Sequence, residues 1–471
     1  MKVFLNWAGE YEEVKYLVSE IQKNGHEIVY WVGTSFAGAE NSLKGAVFHN
    51  HYAAWVGNPA AGVDTSEFSP PGKDLIERMY KTESIVLTMM NKKFNNLCVD
   101  ERRHIYYNMI QYWHGVLKKY QPDAVVFSTI PHTVYDYIIY ELAKLENIKT
   151  IMFAETGVLN RCIVYQDWQA GSEKLRERIR VNAGKNFSTD DLNEDLRKFY
   201  LDKIDPLVDS TPWYMAYQKQ KYSGKNIIFR KLKVVYASIQ DGTIFKKLPH
   251  YFAKLKENLK KEYENLQSSL DLNQKFIYAP LNYQPERTTC PDGDMFADQI
   301  LMIEILSASL PKDWLVYVKE HPSQWWMRSG TNYSSIRYKG YYERLAKIAN
   351  IKLIPVHSKS SELIEKCQAV ATVTGTAGWE ALFRLKPALV FGYPWYRDCP
   401  EAFITRDAKT CAEALEKVSQ GHKIDRQKIV NFLKSFDEGA ARFINAHGRS
   451  FVALDENDGR IREAVSWLGS I

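Results

Sequence analysis

Ala369–Val–Ala–Thr–Val–Thr374–Gly375–Thr376–Ala377–Gly378–Trp379–Glu380–Ala381–Leu382 reads in three parts. An apolar run is a buried strand, a small-residue loop ends it, and a helical run follows. Thr374, Gly375 and Thr376 then stand where backbone amides at a helix N-terminus face an anion. Gly375 and Gly378 permit close approach of another chain or a ligand. Glu380 lies in the helix's first turn, placed to accept from hydroxyls or amides. Taken alone, the same residues also describe an ordinary N-capped helix with Thr374 or Thr376 as cap.

Two strands upstream stop in the same manner. Tyr278–Ala–Pro–Leu–Asn–Tyr–Gln284–Pro285–Glu286–Arg287–Thr288–Thr289 runs from apolar to an amide, a carboxylate, a guanidinium and two hydroxyls. Trp314–Leu–Val–Tyr–Val–Lys319–Glu320–His321–Pro322–Ser323–Gln324 gathers Lys319, His321 and Ser323 at its end. Pro322 fixes the backbone beside His321, which can donate to a phosphate oxygen or a carbonyl. In open α/β sheets ligands sit outside the carboxyl ends of the strands. One such end is weak evidence; three in succession point to a binding crevice.

The wider pattern alternates in the same way. Candidate strands are Lys2–Trp7, Glu27–Gly33, Ala124–Ile130, Thr150–Glu155, Phe276–Asn282, Trp314–His321, Ile351–Pro355, Ala369–Gly375 and Ala388–Tyr393. Helical patterns fall between them over Glu10–Asn24, Val134–Glu146, Phe296–Leu310, Tyr341–Ala349, Ser360–Cys367 and Thr376–Arg384. This rhythm predicts an α/β fold of two doubly wound, Rossmann-like units with parallel sheets covered on both faces. With 471 residues the chain is long enough for both. The expected division is residues 1–215, a basic helical connection over 216–270, and 271–471 ending in two or three helices.

Charge excludes some functions. The net charge of +6 is too mild for a nucleic-acid binder. Residues 211–270 nevertheless hold 12 Lys/Arg against 4 Asp/Glu, a local +8. A solvated helical face is the favoured reading, and docking on an anionic membrane surface the sharper one. Cys98, Cys162, Cys290, Cys367, Cys399 and Cys411 form no Cys-x-x-Cys pair and read as reduced thiols. The start, MKVFLNWAGEYEEVK, reads as a strand, not a signal peptide. No run approaches a membrane span. The expectation is a cytoplasmic protein, peripheral at the inner membrane if the basic segment docks there.

The phrases LNYQPERTT, VKEHPSQ and TVTGTAGWEALFRLKPALVFG resemble the bacterial capsule polysaccharide biosynthesis family, which includes Kdo transferases. The resemblance covers about residues 276–396 and rests on a Gln-Pro pair, a His-Pro pair and a Ser/Thr-Gly turn before Glu-Ala-Leu. It implies a GT-B-like fold, two Rossmann-like domains facing each other across a cleft, with the donor in the C-terminal one. Non-hydrolysing sugar-nucleotide epimerases share that architecture, so fold alone does not decide function. The resemblance also implies a Kdo- or nonulosonate-type sugar donated from CMP to a glycan or glycolipid acceptor of capsule or lipopolysaccharide. On it, His321 and Pro322 sit at CMP; Thr374, Gly375 and Thr376 bind its phosphate; Glu380 binds ribose; Gln284 and Pro285 line the cleft. Charge adds Lys319 and Arg287 as partners for the phosphate and the sugar carboxylate. Glu286 and Ser323 complete the expected donor side.

The acceptor side belongs to the first half. Glu155 ends an apolar run beside Gly157 and is the expected acid or base, with His132 as rival and Arg161 as its orienting or carboxylate-binding partner. A carboxylate capping the next turn is the competing reading of Glu155. Trp7, Gly9 and Glu10 follow the first strand and are expected beside the acceptor. No metal or other cofactor is expected: helix amides and cations can stabilise a leaving phosphate. Asp292–Gly–Asp294 reads as turn chemistry, not a metal site. The alternatives are a GT-B enzyme using a UDP-sugar or a CDP-polyol, and a non-catalytic capsule assembly or export module.

Overall fold

The computed structural model describes residues 1–158, 160–205, 259–325 and 337–442, with isolated positions at 232–233, 235–236, 239–240, 462 and 465–466. Most of the basic segment 211–270 and the tail beyond 442 lie outside the described residues; of the expected helical connection, helix Leu259–Asn265 is described.

Two six-stranded sheets form the frame. The first contains β1 (Lys2–Asn6), β2 (Glu27–Gly33), β3 (Val47–Asn50), β4 (Ala124–Phe127), β5 (Lys149–Glu155) and β6 (Cys162–Tyr165), in the order β3-β2-β1-β4-β5-β6. The second contains β7 (Phe276–Pro280), β8 (Leu315–Lys319), β9 (Ile351–Leu353), β10 (Ala369–Thr372), β11 (Ala388–Val390) and β12 (Ala402–Ile404), in the order β12-β11-β10-β7-β8-β9. Both are the doubly wound order, and each reverses direction at one point: between β1 and β4, and between β7 and β10. Every pair is parallel except β5–β6, which is antiparallel.

Burial explains the strand sequences. β4, AVVF, and β10, AVAT, are buried along their whole length, as parallel strands covered on both faces must be. Helices supply the covers. Thr376–Phe383 lies against β10 and β11, and Tyr11–Lys23 against β2. All nine expected strands are present, most ending one to three residues before the sequence pattern did; β3, β6 and β12 are additional.

The division of the chain is less simple than the expected boundaries. Helix Glu194–Ile204 packs on Thr376–Phe383, with Tyr200 and Phe383 ring centroids 4.9 Å apart. Helix Glu173–Asn182 packs on the late helix Arg426–Gly439. Ala441 then bridges to Cys162 at the edge of the first sheet. The two units are therefore tied by chain that crosses between them in both directions.

Candidate active site

The crevice lies where the second sheet reverses. A cavity of about 290 Å³ opens outside the carboxyl ends of β7, β8 and β10. Its β10 side is the loop Thr374–Gly375 and the helix it opens. Gly375 is the N-cap residue, and its amide donates to Thr372 Oγ1 at 2.9 Å. A Cβ there would stand 2.7 Å from the same oxygen, and one at Gly378 would stand 2.5 Å from the Tyr396 hydroxyl. That hydroxyl donates to the Gly375 carbonyl at 2.6 Å. Glycine is thus required at both positions by close packing. Asn282 braces the loop from β7: its Nδ2 donates to Thr374 Oγ1 at 3.2 Å, and its own backbone is clasped by the buried Gln299 amide.

The β8 side carries His321 and Pro322. His321 Nδ1 accepts the Ser323 amide proton at 3.2 Å, so the neutral ring carries its own proton on Nε2. The imidazole is thereby set as a donor at the tip of the ring. Behind it Glu320 is fully buried against Arg337, with Nε–Oε2 at 2.8 Å. The same carboxylate accepts from the Tyr342 hydroxyl at 2.7 Å and the His321 amide at 2.7 Å. Burial opposes the Arg337 charge, yet Glu320 raises its pKa above the usual arginine value.

Lys319 is buried at the cavity, 5% exposed, with Nζ donating to Ser360 Oγ at 2.6 Å and the Ser358 carbonyl at 3.0 Å. Burial pushes its pKa down to about 8, against the pull of Glu380. Glu380 lines the opposite wall and pairs with Lys203 at 3.2 Å.

The first sheet meets this crevice through Arg287. Glu286 lines the cavity, and the next residue reaches across: Arg287 Nη1 donates to Thr129 Oγ1, beyond the end of β4, at 2.7 Å. Its Nε lies 3.5 Å from Asp292. Burial disfavours the Arg287 charge, but Asp292, Glu155 and Glu286 together raise its pKa. Burial also lifts Asp292 to about 6, with Arg287 opposing. Glu155, the last residue of β5, is half-buried within the field of this guanidinium. The two reversal points of the two sheets are joined by this polar junction.

Several expected residues are placed elsewhere. Gln284 does not line the cavity; it is 1% exposed, exchanges backbone–amide hydrogen bonds with Gln324, and accepts from Arg337. Pro285 is also absent from the lining, and Ser323 is wholly buried, acting through its amide on His321. Arg161 is not oriented toward Glu155: it is 2% exposed and held by Asp437 at 2.6 Å and Asp195 at 2.9 Å. His132 is half-buried with Nδ1 2.9 Å from the Ile130 carbonyl. Asp292 is not simple turn chemistry, since its carboxylate belongs to the Arg287 junction. Glu286, Lys319, His321, Pro322, Thr374, Gly375, Thr376 and Glu380 do converge on the cavity. Thr288, one of the two hydroxyls expected past the end of β7, lines the cavity too; sequence reading missed Asn282 and Tyr283 inside the same strand-end phrase. It also missed Ser360 and Lys203, which carry no local signal.

Among the described residues no group of three His, Cys, Asp or Glu side chains forms a metal cluster, and no helix is long and apolar enough to cross a membrane.

A helix start, a histidine and an acid stand around the crevice at the reversal point of a doubly wound sheet, where ligands of open α/β sheets sit. Residues 216–419 match the family model described as capsule polysaccharide biosynthesis protein, so the resemblance carried by the three strand-end phrases is borne out. Curated proteins provide no match in sequence. Among solved structures, the Thermosulfurimonas dismutans KpsC beta Kdo 2,4 transferase is 13% identical at a TM-score of 0.32, covering 68% of this chain and 79% of its own. The UDP-GlcNAc 2-epimerase of Methanocaldococcus jannaschii is 12% identical at a TM-score of 0.26, covering 90% and 94%.

Proposed function

We propose that this chain is a glycosyltransferase of bacterial surface polysaccharide synthesis, taking a Kdo- or nonulosonate-type sugar from a CMP donor to a glycan or glycolipid acceptor. The observation that carries the reading is the convergence of His321–Pro322, the Thr374–Thr376 helix start and Glu380 on one cavity. The amides and Lys319 meet the phosphate, His321 Nε2–H donates to the nucleotide, and Glu380 accepts from ribose. In transfer, the bond between anomeric carbon and phosphate oxygen breaks and its electron pair leaves with CMP. The acceptor oxygen bonds the anomeric carbon, and its proton passes to a carboxylate, for which Glu155 beside Arg287 is the candidate. The developing negative charge falls on fixed donors, where such stabilisation is most effective. No metal or cofactor is assigned a part.

Calorimetry with CMP, CDP, UMP and UDP tests the reading, beside His321→Ala. CMP is expected to bind selectively, and the variant to lose about tenfold or more, the worth of one charge-assisted hydrogen bond. Preference for UDP would instead make this a UDP-sugar enzyme. Binding of none by folded protein would leave a non-catalytic assembly module.

Lys319 gives the site a pH signature. Its folded pKa of about 8 lies below its ordinary value of 10.5, so between them the unfolded chain binds more protons. The group's contribution to stability therefore rises with pH across that window. Anion affinity moves the opposite way: CMP binding is expected to weaken as pH rises through about 8, and Lys319→Arg to remove the inflection. Titration calorimetry between pH 6.5 and 9.5 (about the span needed to bracket the transition) reads both. A flat wild-type profile would remove Lys319 from the anion site.

A further inference from the structure

We infer that Lys203 is a positioning residue of the donor site, holding the Glu380 carboxylate for the ribose hydroxyls of the nucleotide. The inference rests on the nucleotide reading above and adds a residue from outside the stretch 216–419 that matches the family model.

Lys203 stands in the last turn of helix Glu194–Ile204, which packs across helix Thr376–Phe383. Phe199 and Tyr200 meet Phe383 edge to face at 6.0 and 4.9 Å. Arg384 Nε donates to the Lys203 carbonyl at 3.3 Å, fixing the end of the earlier helix against the later one. From this anchored position Nζ reaches Glu380 Oε1 at 3.2 Å. Both side chains are largely buried, at 19% and 10% exposure.

A carboxylate this enclosed needs a partner to remain charged. Ionised, it only accepts, and its two oxygens offer about four lone-pair sites. Lys203 engages Oε1, fixing the rotamer and leaving capacity for donors entering from the cavity that Glu380 lines. A vicinal diol supplies such donors; a phosphate does not, and would be repelled. Glu380 follows Thr376 by four residues, about 6.0 Å along the axis, so it stands just past the first turn expected for it, and the acid begins where the anion-facing amides end. Phosphate at the helix start and ribose at the acid is the order this placement reads.

The test is the affinity ratio of CMP to 2′-deoxyCMP, measured by calorimetry on the full chain. Wild type is expected to favour CMP by about tenfold or more, as for a hydrogen bond to a charged group. Lys203→Ala is expected to bring the ratio to about one by weakening CMP while 2′-deoxyCMP changes little. Lys203→Arg should restore the preference, and Glu380→Gln should abolish it even if Lys203→Ala fails to fold. Equal weakening of both nucleotides in Lys203→Ala would overturn the inference, since a phosphate contact or general loosening acts that way. So would a wild-type preference retained in Glu380→Gln. Wild type binding both nucleotides equally sinks only the assignment of Glu380 and Lys203 to ribose. Wild type binding neither sinks the nucleotide reading itself.

Discussion

Glu320→Ala is expected to lower the unfolding free energy by about 4–5 kcal/mol, the upper part of the range for removing one partner of a buried pair. Both side chains are 0% exposed, so the Arg337 charge left behind has no water to turn to. The Tyr342 hydroxyl and the His321 amide lose their acceptor in the same step. Arg337 retains the Gln284 side chain, the Asn282 carbonyl and the face of the Tyr341 ring. Because the His321 amide is tied to Glu320, CMP affinity should fall as well, even at temperatures where the variant is folded. Urea unfolding and calorimetry together check this. A loss below about 1 kcal/mol would show that Arg337 finds a new partner or reaches water.

Arg161→Ala is expected to destabilise by about 3 kcal/mol, the lower end of the same range, and to leave CMP affinity within about threefold. The stability loss is smaller because Asp437 keeps the Asn193 amide at 3.1 Å and its Nδ2 at 2.7 Å. The unchanged affinity follows from placement: the guanidinium joins the loop before β6 to helix Arg426–Gly439 and to Asp195, not to the cavity. A large fall in nucleotide affinity with normal stability would return Arg161 to the site.

These two residues also show what the sequence could and could not reveal. The central strands were legible because burial on both faces demands long apolar runs. The additional β3, β6 and β12 all lie at sheet edges. β3 and β12 are only partly buried and carry no such run, while β6 is apolar but breaks the alternation by pairing antiparallel with its neighbour. The site followed the same logic. A strand that stops at polar residues marks the crevice, which located Lys319, His321, Thr374–Thr376 and Glu380. Which way each side chain turns is set by packing partners far along the chain. Gln284 is claimed by Gln324 and Arg337, and Arg161 by Asp437, 276 residues away. Lys203 reaches Glu380 across 177 residues, a separation no local pattern announces.

The return of the chain to the first sheet has a consequence for biosynthesis. Cys162 awaits Ala441, and Arg161 awaits Asp437, before the edge of that sheet is complete. At about 5–20 residues per second, a ribosome needs roughly 15–55 s to cover those intervening residues. Throughout that interval the nascent first unit holds a guanidinium whose buried counterion has not yet been made. A translation stop anywhere in the second unit therefore leaves both halves defective, and a fragment ending near residue 215 is expected to be a substrate for chaperones and proteases, not a free-standing domain.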